Sequence, residues 1–142
     1  PELARDYARQ VAEARARGAQ RVIPLKVSAA FHSPLMQEAA AGLSQAVARA
    51  EFSPARIPVV ANASAVPIRA PEEIRSELVA QVCSPVRWTA GVLTMGKQGA
   101  RHFLEIGPGK VLAGLVRRIL PEAEVGNVGT LEQVQTLLGT DK

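Results

Sequence analysis

Sulfur and aromatic groups are scarce in this chain of 142 residues, which holds one cysteine, two methionines and a 4% share of aromatic residues. A single thiol, Cys83, cannot close an internal disulfide. That removes the cross-linked secreted scaffolds and suits a reducing compartment, so a cytoplasmic location is expected. The two histidines, His32 and His102, stand far apart and far from Cys83, so no metal-ligand spacing exists. Aromatic residues are too few, and basic residues too scattered, for a nucleic-acid surface. No apolar run approaches the ~20 residues of a membrane span, and no secretory signal is visible. Neither a dinucleotide-binding G-x-G-x-x-G nor a phosphate loop occurs, and no metal or redox cofactor is expected.

The residues that are present describe an ordinary soluble domain. The chain is 47% hydrophobic and 21% charged, enough apolar content for one real core at this length. Its net charge of +4 favours an acidic partner, such as a phosphorylated cofactor or an acidic carrier protein.

Periodicity and turn residues predict alternating helices and strands. Residues 2–18 read as a helix, with Tyr7, Val11 and Ala14 on one face and Gly18 where a C-cap belongs. A strand is expected over 21–27, with an edge or bulge at Pro24. A long helix should follow, capped by Ser33 with Pro34 in its first turn and an inward stripe of Leu35, Ala39, Leu43, Ala46 and Ala50. Residues 57–61 read as a short buried strand of a parallel sheet, and 62–70 as an irregular loop. Helices are expected over 71–83, 87–97 and 110–120, strands over 102–106 and 124–128, and a last helix opening at Thr130 with Gln133 completing a capping box. Gly107-Pro108-Gly109 is too short to wrap a phosphate and reads as a turn. His102 begins an apolar strand beside Arg101 and reads as a surface residue, and Cys83 has no base near it in sequence. Alternating elements of this kind argue for an α/β fold with a parallel sheet.

His32 is the residue that suggests chemistry. It lies where an expected strand gives way to a helix, a position that α/β enzymes use for residues that reach a reacting group. An unperturbed imidazole can take and return a proton near pH 7.

Four words carry a resemblance. They are Pro24-Leu25-Lys26-Val27-Ser28-Ala29-Ala30-Phe31-His32-Ser33-Pro34-Leu35-Met36, then Pro58-Val59-Val60-Ala61-Asn62, then Gln81-Val82-Cys83-Ser84-Pro85-Val86-Arg87-Trp88, and last Glu105-Ile106-Gly107-Pro108-Gly109-Lys110-Val111-Leu112. In this order they resemble the malonyl-CoA:acyl carrier protein transacylases and the related acyltransferase domains of polyketide synthases. The match covers nearly the whole chain but only the C-terminal half of that family. The family's nucleophilic serine sits in a G-H-S-x-G elbow, and no serine here has the flanking glycines. Its malonyl-binding arginine also lies upstream of the matched segment. Since the chain opens at Pro1 without an initiator Met, it reads as a fragment holding half an active site.

The resemblance implies a fold and a set of roles. Residues 1–27 would be the last helix and strand of a small ferredoxin-like subdomain, and 28–142 the C-terminal part of a hydrolase-like α/β core. His32 would be the general base, with the Gln81 main-chain carbonyl accepting its Nδ1–H. Phe31 would stand beside the acyl group and bias selection toward malonyl, the alternative being a Phe that anchors the helix. Asn62 would face the substrate, or else open an Asx-turn. Arg117 and Arg118 would meet an acidic acyl carrier protein, or serve only as basic residues at a helix C-terminus. The implied reaction moves a malonyl group from coenzyme A to the carrier thiol in fatty acid synthesis, through an acyl-serine outside this chain. The implied partners are malonyl-CoA, acyl carrier protein and the N-terminal half of the same enzyme, with no nucleic acid and no membrane. A polyketide synthase acyltransferase fragment is the alternative enzyme. An inactive packing or carrier-binding half is the alternative of a different class.

Overall fold

The computed structural model describes residues 2–23 and 30–139. It divides into two compact units, residues 1–30 and 31–142. In the first, helix α1 runs Glu2–Ala16. Its end is closed by Gly18 in a left-handed conformation (φ 91°), with Gly18 N–H on the Arg15 carbonyl at 2.9 Å and Ala19 N–H on the Ala14 carbonyl at 3.0 Å. Residues 21–23 are not in a strand, contrary to expectation, and the rest of the strand expected over 21–27 lies outside the described residues.

The second unit opens differently from its sequence pattern. A single 3-10 turn, Pro34–Met36, precedes helix α2 at Gln37–Arg49, and no side-chain hydrogen bond from Ser33 caps it. The inward stripe is also rotated by about one residue. Met36, Ala40 and Leu43 are half-buried and Val47 is buried, while Leu35 is 76% exposed and Ala39, Ala46 and Ala50 face solvent. Burying a valine or methionine gains several times what an alanine gains, so the bulky residues set the rotation.

Strand β1 (Val59–Val60) pairs antiparallel with β2 (Pro67–Ile68). Both the expected parallel pairing and the expected featureless loop over 62–70 are therefore corrected. The chain reverses within a few residues: Ala65 takes a left-handed conformation (φ 59°), and Ala61 N–H reaches the Val66 carbonyl at 3.0 Å. A parallel partner would need a long crossover, which so short a reversal cannot supply. Nor is β1 fully buried, since Val59 is 51% exposed.

Helix α3 (Pro71–Cys83) begins at a proline whose missing N–H costs nothing there. The Glu73 carboxylate accepts the Arg69 and Ala70 N–H groups at 3.1 and 3.0 Å, and these bonds hold its pKa below the usual carboxylate range. Pro85 forces Ser84 into an extended conformation and stops the helix. Helix α4 (Trp88–Lys97) follows and contributes the fully buried Val92.

Strands β3 (His102–Ile106) and β4 (Glu124–Val128) pair in parallel, joined through helix α5 (Val111–Ile119). This βαβ unit carries the parallel sheet of the expected α/β fold. Glu105 caps α5 from the strand, accepting Leu112 and Ala113 N–H at 3.2 and 2.8 Å. Helix α6 (Leu131–Leu138) has half of the expected capping box: Thr130 Oγ1 accepts Gln133 N–H, but Gln133 Oε1 reaches past the N-cap to accept Gly129 N–H. Ala113 and Val116 of α5 and Val128 of β4 join Val92 in the core. Large apolar residues nonetheless remain open, including Ile106 at 80% and Val111 at 73% exposure.

Candidate active site

The last carbonyls of an α-helix have no partner within the helix. At the end of α3, two of them are taken by one residue. His32 N–H donates to the Val82 carbonyl at 2.9 Å, and His32 Nδ1 lies 2.8 Å from the Gln81 carbonyl. Both contacts need the backbone of His32 to turn sharply, and it does so in the left-handed region (φ 63°). A non-glycine residue there is strained by about 1–3 kcal/mol, a strain that tends to collect at functional sites.

The Gln81 contact fixes the imidazole tautomer. A carbonyl oxygen can only accept, so Nδ1 carries the hydrogen, and in the neutral ring the lone pair is on Nε2. Among the described residues none bonds Nε2. The ring is exposed on that unit, and its basic nitrogen is open.

Asn62 stands one step behind. It follows β1, and its carbonyl accepts Arg87 N–H at 2.8 Å, just before α4. Its side-chain Nδ2 donates to Gln81 Oε1 at 2.7 Å. Arg87 stitches the same loop again, donating from its guanidinium to the Ser64 carbonyl at 3.1 Å. A shallow cleft of about 130 Å³ opens beside Asn62, lined by Val60, Arg87, Trp88 and Met95 among others. The Trp88 indole N–H is buried with no acceptor among the described residues.

The structure thus joins His32, Gln81 and Asn62 through hydrogen bonds. Phe31, next to His32, is 60% exposed. Arg117 and Arg118 lie apart from this network on the last turn of α5. Arg117 donates to the Val125 carbonyl of β4 at 2.6 Å, whereas Arg118 makes no hydrogen bond or ion pair among the described residues. Three contacts had no signal in the sequence: the Val82 carbonyl, the Gln81 side chain and the Arg87 bridge. His102 is a surface residue paired with Glu124 across the parallel register at 3.0 Å. Gly107 and Gly109 take positive φ (135° and 96°), as a turn before a helix requires.

No family model matches the chain. It is 35% identical over 119 residues to a malonyl CoA-acyl carrier protein transacylase of Synechocystis sp., an alignment covering 84% of this chain and 41% of that relative. The chain matches part of the malonyl CoA-acyl carrier protein transacylase family. It spans about two fifths of the length of the relatives it matches. A crystal structure of the transacylase from Streptococcus pneumoniae superposes with a TM-score of 0.85 at 36% identity, covering 95% of this chain and 44% of that one. A malonyl-transacylase in complex with its type II PKS acyl-carrier protein superposes with a TM-score of 0.80 at 39% identity, covering 88% of this chain and 41% of that one. The four-word resemblance to the transacylases stands on both sequence and fold. None of the helices among the described residues is long and apolar enough to cross a membrane.

Proposed function

We propose that this chain supplies the general-base half of a malonyl-CoA:acyl carrier protein transacylase that works in the cytoplasm in fatty acid synthesis. The observation that carries the reading is the 2.8 Å contact between His32 Nδ1 and the Gln81 carbonyl, which leaves Nε2 free to take a proton. In this reading the nucleophilic serine lies outside the chain, which holds no G-H-S-x-G. Exposed Ile106 and Val111 support a further part of the protein packing on this one.

The chemistry is acyl transfer in two halves. Nε2 of His32 takes the serine proton as the oxygen attacks the malonyl thioester. When the carbon–sulfur bond breaks, the imidazolium returns that proton to the coenzyme A thiolate, leaving malonyl-serine. In the second half Nε2 takes the proton of the carrier's phosphopantetheine thiol. The resulting thiolate attacks the ester, and the serine oxygen leaves with the proton. The Gln81 carbonyl holds the ring throughout and adds no charge. No metal or redox group takes part in any of these steps.

In the complete enzyme, this chain together with its serine-bearing part, His32→Ala tests the reading. Acyl transfer should fall by roughly 10²–10⁴-fold with malonyl-CoA binding little changed. A drop under about tenfold in a folded protein removes His32 from the mechanism.

A further inference from the structure

Gln81 faces two ways. Its main-chain carbonyl holds His32 Nδ1, and its side-chain Oε1 accepts from Asn62 Nδ2 at 2.7 Å. Asn62 is itself fixed, because its carbonyl takes Arg87 N–H at 2.8 Å and Arg87 is bound again to Ser64. The hairpin β1–β2 and the start of α4 are therefore tied to the end of α3 by this side-chain bond, with a second one a turn earlier, where Ala63 N–H donates to Glu77 Oε1 at 2.7 Å. That end is where the helix's own hydrogen bonding runs out and the chain is freest to shift. We infer that Asn62 is a positioning residue: through the Gln81 side chain it sets the Gln81 carbonyl, and so the aim of His32 Nε2. This rests on the reading of His32 as the general base.

The inference reassigns Asn62, whose amide would otherwise face the substrate. One of its two Nδ2 hydrogens is engaged at short range with Gln81, so the direction of the amide is set by the protein. A small error in aim is costly, since misplacing a catalytic group by about 1 Å loses on the order of 10²-fold.

Kinetics and imidazole spectroscopy in the complete enzyme give the test. Asn62→Leu keeps the shape and removes the bond; Gln81→Leu removes the acceptor and keeps the carbonyl. Each should lower kcat by roughly tenfold with KM unchanged, and the double variant should be no worse than either single one. Asn62→Asp should recover much of the rate, because the Gln81 amide can turn over and donate to the carboxylate. The ¹⁵N resonances of His32 should report more of the Nε2–H tautomer in Asn62→Leu than in the parent. A merely structural Asn62 would lower the melting temperature and leave the tautomer alone, which overturns the inference. It is equally overturned if KM rises while kcat holds, or if the two single losses multiply in the double variant. His32→Ala run alongside separates the two ideas. If that variant is disabled while Asn62→Leu is fully active, positioning fails and the base stands; if it stays active, the base reading itself fails.

Discussion

A Cβ placed on Gly129 would lie 2.7 Å from the carbonyl oxygen of Gly107. The end of β4 and the turn after β3 are therefore in backbone contact, drawn together by Gly107 N–H on the Val128 carbonyl at 2.9 Å and by Asn127 Nδ2 on the Glu105 carbonyl at 3.2 Å. Neither side can yield cheaply, because both are main chain. Gly129→Ala should destabilise the fold by about 1–3 kcal/mol, the usual cost of overpacking. Thermal melting measures it, and an unchanged melting temperature would show that the turn can open.

The 142-residue chain by itself should not become acylated. Its base lacks a serine at a nucleophile elbow. Incubation with malonyl-CoA followed by intact-mass measurement should show the unmodified chain; a stoichiometric malonyl adduct would mean that some residue here is a nucleophile.

Phe31 projects into solvent beside the base, so its ring is available to an acyl group. In the complete enzyme Phe31→Ser should raise methylmalonyl use relative to malonyl. The gain should not exceed about 10–200-fold, the value of one methyl in a pocket. Competition between the two thioesters reads the ratio, and no change would separate Phe31 from selectivity.

The two arginines at the end of α5 should differ. Arg117 is spent on the Val125 carbonyl, so Arg117→Glu should lower the melting temperature. Arg118→Glu should leave stability alone and slow transfer to the acidic carrier protein, with the slowing reduced at high salt. Loading of the serine from malonyl-CoA should stay normal in Arg118→Glu, since that half-reaction never meets the carrier. Equal effects of both variants on both half-reactions would reduce the pair to helix-end charges.

Where prolines and glycines punctuate the chain, the sequence was enough. Pro71 and Pro85 bound α3, and Gly107 to Pro121 bracket α5, because their backbone constraints are local and act in any context. The rotation of α2 is not legible in a pattern that counts all apolar residues alike, because Val47 and Leu43 outweigh the alanines beside them. The hairpin β1–β2 leaves no mark in the sequence, because its reversal depends on a left-handed Ala65, a conformation that alanine does not advertise. The His32–Gln81 pair came into view through family resemblance and not through spacing. Asn62 and Gln81 stand nineteen positions apart, and only the folded hairpin and helix end bring their amides together.

His32 is bound through its main chain and its ring to two successive carbonyls of α3. For protein engineering this makes the site a cassette and not a side chain. A histidine grafted onto another scaffold without the broken helix end behind it would have neither the tautomer nor the backbone turn that this one has. Conversely, a change at Ser84 or Pro85 that lengthened α3 by a turn would hand both carbonyls back to the helix and release the imidazole, with no catalytic residue touched.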